Sequence, residues 1–195
     1  MFVMIYNFKG SQGKTMFALN LQLTRPEYAV VVNDPYTYLK DNVANEKLLV
    51  LSPGKEIPGA VFLKQNVIFD FGGYIDNRAL KALKKVDVVI IPIVTEGDPE
   101  IKAAIKTIRE LERYNKNIVL VNNKSSEKEF EKFKKEFAKF NYPMFHIRFS
   151  KSIHRLTRSN NKLSVKDMCA EGCPNAHQFL DMSKSFDKIY REIFK

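Results

Sequence analysis

No uninterrupted apolar stretch in this 195-residue chain is long enough to cross a bilayer as a helix. The amino terminus lacks the basic flank and small-residue cleavage site of a secretory signal. Only two cysteines are present, Cys169 and Cys173, too few for a disulfide framework. Together these absences predict a cytoplasmic protein with reduced thiols. Low-complexity runs and internal repeats are missing too. A chain of this length with 45% hydrophobic residues fits a single domain over residues 1–195. One further absence is local. From Phe137 to Lys166 there is no Asp or Glu, while Lys139, Arg148, Lys151, Arg155, Arg158, Lys162 and Lys166 all lie there, so the stretch carries +7 of a net +10.

What is present begins at Phe8-Lys9-Gly10-Ser11-Gln12-Gly13-Lys14-Thr15. An apolar run, Met1 to Tyr6, precedes it and reads as a buried strand. Met16 to Leu23 follows with the apolar spacing and strong formers of a helix. A strand, a Gly-bearing loop ending in Gly-Lys-Thr and then a helix is the layout of a phosphate-binding loop. The glycines let backbone N–H groups turn inward around phosphate oxygens, and the helix N-terminus adds partial positive charge. Lys14 is expected to reach the β- and γ-phosphates, and the Thr15 hydroxyl to bind Mg²⁺. Gly10, Ser11, Gln12, Gly13, Lys14, Thr15 and Met16 are the expected nucleotide contacts.

Beyond the loop, strand and helix patterns alternate. Tyr28–Val32, Leu48–Leu51, Val67–Asp70, Val86–Val94 and Ile118–Val121 read as strands, and Ile101–Leu111 as a helix. This predicts a three-layer α/β P-loop NTPase fold, a mostly parallel sheet with helices on both faces. Chemistry in such sheets collects at the carboxyl ends of the strands. Asp70 ends its strand before Phe71-Gly72-Gly73, as an acid holding Mg²⁺ through water beside a mobile switch or as a simple turn cap.

Lys-Gly-x-x-Gly-Lys-Thr at residues 9–15 resembles the deviant Walker A loop of the ParA/MinD ATPases, written Lys-Gly-Gly-x-Gly-Lys-Ser/Thr. Ser11 replaces that family's second glycine. Val-Asn-Asp-Pro at 32–35 is similar to the family's Asp-x-Asp-Pro-Gln, with Val32 at the first acid and Tyr36 at the Gln. The run Ile90-Ile91-Pro92-Ile93 and the closing helix toward Phe194 also resemble the family's pattern. The resemblance implies that ATP and Mg²⁺ are the cofactors and that ATP joins two copies into a homodimer. It gives Lys9 a role in trans on the partner's nucleotide, acting with Lys14 and Asp34 in catalysis. Asp34 would position the attacking water and join Thr15 and Asp70 at the metal, and Asn122 would read the adenine edge. It further implies slow hydrolysis stimulated by a ParB-like or other partner protein.

The acid-free basic stretch points to a polyanion, with Arg148, Lys151, Arg155, Arg158 and Lys162 as the residues to bind DNA without reading sequence. A plain solvated surface is the competing reading. DNA partition is therefore the first functional expectation. A MinD-like membrane-associated positioning ATPase is the second, because Phe186, Ile189, Tyr190 and Ile193 share one helical face flanked by Lys184, Lys188, Arg191 and Lys195. That face serves equally as the core side of a closing helix. The Phe130, Phe133, Phe137 and Phe140 stripe within Glu127–Phe140 reads as core. Cys169-x-x-x-Cys173 is similar to the pair of iron–sulfur carrier ATPases, with one residue too many between the thiols.

Overall fold

Short runs of β-branched and other apolar side chains, separated by segments of helical period, fold here as strand–helix–strand units. The computed structural model describes every residue except Tyr74, Phe149, Glu171 and Pro174, together with the backbone but not the side chain of Lys151. Its strands are β1 (Phe2–Asn7), β2 (Ala29–Val32), β3 (Leu48–Val50), β4 (Val67–Gly72), β5 (Val88–Ile93), β6 (Ile118–Ser125) and β7 (Met144–Arg148). They form a seven-stranded sheet in the order β3-β2-β4-β1-β5-β6-β7. Every pairing is parallel. The α-helices are α1 (Lys14–Thr24), α2 (Leu39–Asn42), α3 (Asn77–Leu83), α4 (Asp98–Leu111), α5 (Glu127–Phe137) and α6 (Leu180–Ile193).

Alternation along the strands sorts the core into two layers. Val3 and Ile5 face α1 and α6, packing with Phe17, Leu21, Phe186 and Ile189. Met4 and Tyr6 face α3, α4 and α5, packing with Leu83, Ile108 and Phe133. The apolar face of α6 is thus spent on the sheet: Met182, Phe186, Ile189, Tyr190 and Ile193 are buried. A membrane anchor needs that face free, so the core reading of the closing helix holds. Among the described residues no helix is long and apolar enough to cross a membrane.

Pro92 lies inside a central strand, where a missing N–H ordinarily breaks the ladder. Pairing of β1 with β5 ends at Ile5 and Ile90. Pro92 stands beyond that end, and its carbonyl accepts a hydrogen bond from Asn7 Nδ2 at 2.8 Å. A second buried amide ties distant parts of the chain: Asn20 in α1 donates to the Tyr190 hydroxyl at 2.8 Å and accepts the Val165 N–H at 2.8 Å.

Candidate nucleotide site

Asn7 ends β1 at the centre of the sheet, and the next six residues make a loop that neighbouring strands shape. Asn7 Oδ1 accepts the Lys9 N–H at 3.0 Å. Gln12 is buried and its Oε1 accepts the Val94 N–H at 2.7 Å, just past β5. From β6, Asn123 Nδ2 donates to the Gln12 carbonyl at 2.9 Å. Gly13 has φ +87°, and a Cβ there would lie 2.3 Å from Asn123 Nδ2. Ser11, which stands where the resembling loop has its second glycine, has φ 60°, a left-handed conformation that costs a serine roughly 1 kcal/mol of backbone strain. Sheet and loop together leave the α1 N-terminus open at the carboxyl edge of the strands.

Lys14, at the start of α1, is half-buried, and its Nζ donates to the Lys9 carbonyl at 3.1 Å. Burial lowers its pKa, opposed by the charges of Asp70 and Asp34. Asp70 is buried in β4, which pushes its carboxyl up to about 6 against the Thr15 hydrogen bond and the Lys14 charge. Its Oδ2 is buried without a protein partner. A buried carboxylate oxygen beside a threonine hydroxyl and a lysine fits a divalent cation or its water. Among the described residues no group of three or more His, Cys, Asp or Glu side chains assembles here or elsewhere. That suits Mg²⁺, which takes most of its ligands from water and nucleotide phosphates. Asp34 is exposed on the loop after β2, where its Oδ1 accepts the Tyr36 N–H at 2.9 Å. Lys14, Thr15 and Asp70 lie together at this edge, and Asp34 acts on Lys14 and Asp70 through its charge.

Gly72 closes β4 directly under Lys14. A Cβ at Gly72 would sit 2.6 Å from Lys14 Cε and 2.9 Å from Nζ. Asn33, just past β2, pins the same residue, accepting the Gly72 N–H at 3.2 Å and donating to its carbonyl at 3.1 Å. Gly72→Ala should leave the fold intact, since the obstructed group is the end of a flexible side chain. It should weaken ATP binding by about tenfold, some 1.4 kcal/mol for displacing Lys14. Paired thermal melts and ATP titrations check this, and unchanged affinity would free Lys14 from this geometry.

The Lys9 side chain is partly exposed. Its ammonium is ion-paired with Glu100 in the first turn of α4, and that pairing holds the Glu100 carboxyl below its ordinary range. The Lys9 N–H and carbonyl are engaged by Asn7 and Lys14 as described, so the residue is held at three points.

Beside the loop lies a cleft of about 350 Å³, walled by Met16, Tyr38, Asn123, Ile147, Ile153 and Met182. Asn122 does not reach it. That residue is 0% exposed, and its amide is taken up by Thr95 Oγ1 at 3.2 Å and the Ser125 hydroxyl. The expectation placed Asn122 at a strand end, whereas β6 runs on to Ser125 and its alternation turns Asn123 to the cleft. Asn123 Oδ1 is buried and unpartnered, while Nδ2 is committed to Gln12, which fixes the amide's orientation. A wider reading of Val121-Asn122-Asn123 as a continuing strand would have found it.

The basic stretch does not form one continuous face. Arg148 borders the cleft and pairs with Asp181 at 2.9 Å. Lys162 donates to the Asn42 carbonyl at 2.9 Å. The Arg155 guanidinium lies over the Phe179 ring, and Arg158 is exposed. The Lys151 side chain falls outside the described residues. The Cys169 and Cys173 thiols donate to the Val165 and Asp167 carbonyls at 3.2 and 3.4 Å, and burial raises the Cys169 pKa. The carrier-type reading gains no cluster from them.

A parallel sheet with a phosphate loop after its central strand defines the α/β P-loop NTPase fold, here in the form shared by the MinD and ParA ATPases. MinD from Aquifex aeolicus aligns with a TM-score of 0.63 over 96% of both chains at 14% identity. MinD complexed with Mg-ADP from Pyrococcus horikoshii aligns with a TM-score of 0.58 over 97% of this chain and 96% of its own, at 16% identity. A ParA family ATPase from Chlorobium tepidum gives 0.59, 92% and 96%, at 16% identity. Neither a protein-family model nor a curated protein matches the sequence.

Proposed function

We propose that this protein is a Mg²⁺-dependent ATPase working as an ATP-driven dimerising switch in DNA segregation, binding DNA without sequence preference in its ATP state. The observation that carries the reading is Lys9, a second lysine in the phosphate loop, held by Glu100 rather than spent on its own site. Lys14 and the loop amides neutralise the β- and γ-phosphates, Lys14 exchanging the Lys9 carbonyl for phosphate oxygen. Thr15 and Asp70 are the residues that would hold Mg²⁺, which when bound would supply positive charge beside the phosphates. Asp34, exposed at the mouth, orients the attacking water. The base would occupy the cleft that Asn123 borders, while the Asn123 amide holds the phosphate loop at Gln12. Released from Glu100, Lys9 reaches the nucleotide of a second copy, and a stimulating partner protein accelerates turnover. The Mg-ADP bound by the Pyrococcus horikoshii MinD supports the choice of cofactors, and the buried face of α6 favours DNA over a membrane as the surface.

The test is molar mass in solution with and without ATP, using Asp34→Ala to slow hydrolysis. A monomer that becomes a dimer only with ATP is expected. Adding Lys9→Ala should leave ATP binding in place and keep the protein monomeric. A dimer that persists in the Lys9→Ala background removes that lysine from the interface.

A further inference from the structure

The sheet order leaves β7 at one end, paired with β6 and, among the described residues, with no other strand. The Leu120 N–H of β6 donates to the Pro143 carbonyl at 2.9 Å. Along a parallel strand the N–H and C=O of one residue point to the same side, and that side alternates with each residue. Phe145 and Ile147 therefore face β6, while the N–H and C=O groups of Met144 and His146 face outward. This outer edge floors a groove of about 450 Å³, walled by α5 on one side and by α6 on the other.

The two walls differ in chemistry. On the α5 side Met144 packs on the core layer beneath that helix, and the His146 ring stacks on Phe130 with centroids 5.0 Å apart and planes 13° from parallel. The ring is held further by the Ser125 carbonyl, 2.8 Å from Nε2, and by Glu127, 3.5 Å from Nδ1. On the α6 side Arg148 is committed to Asp181 at 2.9 Å. Lys184 and Lys188 stand one helical turn apart, exposed, and among the described residues neither has an ion pair or hydrogen bond. A second copy joined through the same edge would bring its own two lysines against these, which like charge opposes.

We propose that the β7 edge takes up an extended acidic segment of a partner protein as an added strand, its carboxylates toward Lys184 and Lys188 and its apolar side chains toward Phe130 and Met144. Main-chain hydrogen bonds to Met144 and His146 supply the affinity, and the alternate side chains supply the selectivity. A strand turns successive side chains to opposite faces. A segment alternating acidic and apolar residues therefore meets the lysine wall with one set and the aromatic wall with the other. The inference goes beyond the ATPase reading and does not depend on it, since neither lysine lies at the nucleotide site.

The probe is a fluorescent peptide of alternating aspartate and valine, about seven residues long so as to span the 5 residues of β7. It is titrated into the intact protein by anisotropy, without nucleotide, with molar mass recorded alongside. Two further versions carry N-methyl groups at the aspartates or at the valines. Alternate N–H groups point to opposite edges, so one set of methyl groups faces β7 and should abolish binding, whereas the other faces solvent and should not. A lysine–valine peptide should bind about tenfold more weakly than the parent. In Lys184→Glu/Lys188→Glu, both at exposed positions, that preference should reverse, with the thermal melt and the affinity for a fluorescent ATP analogue unchanged. Equal binding by the two N-methylated peptides would overturn strand addition without any change to the protein. Unchanged affinity for the parent peptide in the double variant would overturn the acidic occupant, and no binding to wild type would overturn both. A nucleotide-free dimer that the peptide dissolves would assign the edge to a second copy and overturn the proposal as well.

Discussion

Lys14→Ala is expected to abolish ATP binding over any physiological concentration range while leaving the protein folded. The ammonium is the cation placed over the phosphate position, mostly withdrawn from water, with its weak carbonyl partner at Lys9 ready to be exchanged. A hydrogen bond to a charged group contributes roughly 1.5–3 kcal/mol. The upper figure applies to a half-buried lysine facing polyphosphate, so the affinity loss should exceed about a hundredfold. Stability should not suffer, because burial already disfavours the lysine's charged form. Calorimetric titration with Mg²⁺-ATP and a thermal melt of the same sample test both halves. An affinity equal to wild type would move the phosphate site away from residues 10–15.

Asp70→Asn should make the nucleotide-free protein more stable and destroy its Mg²⁺-dependent nucleotide binding. The folded-state pKa of Asp70 is raised from 3.8 to about 6, first of all by burial. The folded protein therefore holds this proton more tightly than the unfolded chain does. Its stabilising effect is present below about pH 4, declines as pH rises toward 6, and above that the ionised carboxylate costs roughly 3 kcal/mol at 1.36 kcal/mol per pH unit. The amide keeps the shape and removes the charge. Near pH 7.5 the variant should melt roughly 5–10 °C higher, with the gain vanishing near pH 4. Melts of both proteins without nucleotide across pH 4–8 decide it. A flat difference across that range would mean that Asp70 is not the strained group its burial makes it.

The centre of the fold was legible because it is written in adjacent residues. Met1 to Tyr6, the glycine loop and Met16 to Leu23 each announce their structure locally, and Asp70 stands where an apolar run stops. The edges were harder. β7, Met-Phe-His-Ile-Arg, has neither the apolar continuity of a buried strand nor clean alternation, and it becomes a strand by pairing with β6. The position of Asn123 rather than Asn122 at the cleft has the same root, since pairing with β7 carries β6 on through Asn123 to Ser125. The Lys9–Glu100 contact joins residues 91 positions apart, and it depends on how α4 leaves β5. The basic stretch shows the limit of counting charge: seven like charges in sequence became a pair to Asp181, a tie to α2 and a separate cleft.

Asn20 carries a consequence for how the protein comes into being. Its amide sits in the helix that bears the phosphate loop, yet its partners Val165 and Tyr190 lie 145 and 170 residues further on. A ribosome delivers α1 well before those partners, 145 and 170 residues ahead of them. Until they arrive, the helix holds polar atoms that cannot be sealed from water without cost, and closing so long a loop is slow. The nascent chain should therefore gain its grip on nucleotide in one late step. A ribosome-bound chain halted before Val165 should bind ATP far more weakly than the released protein.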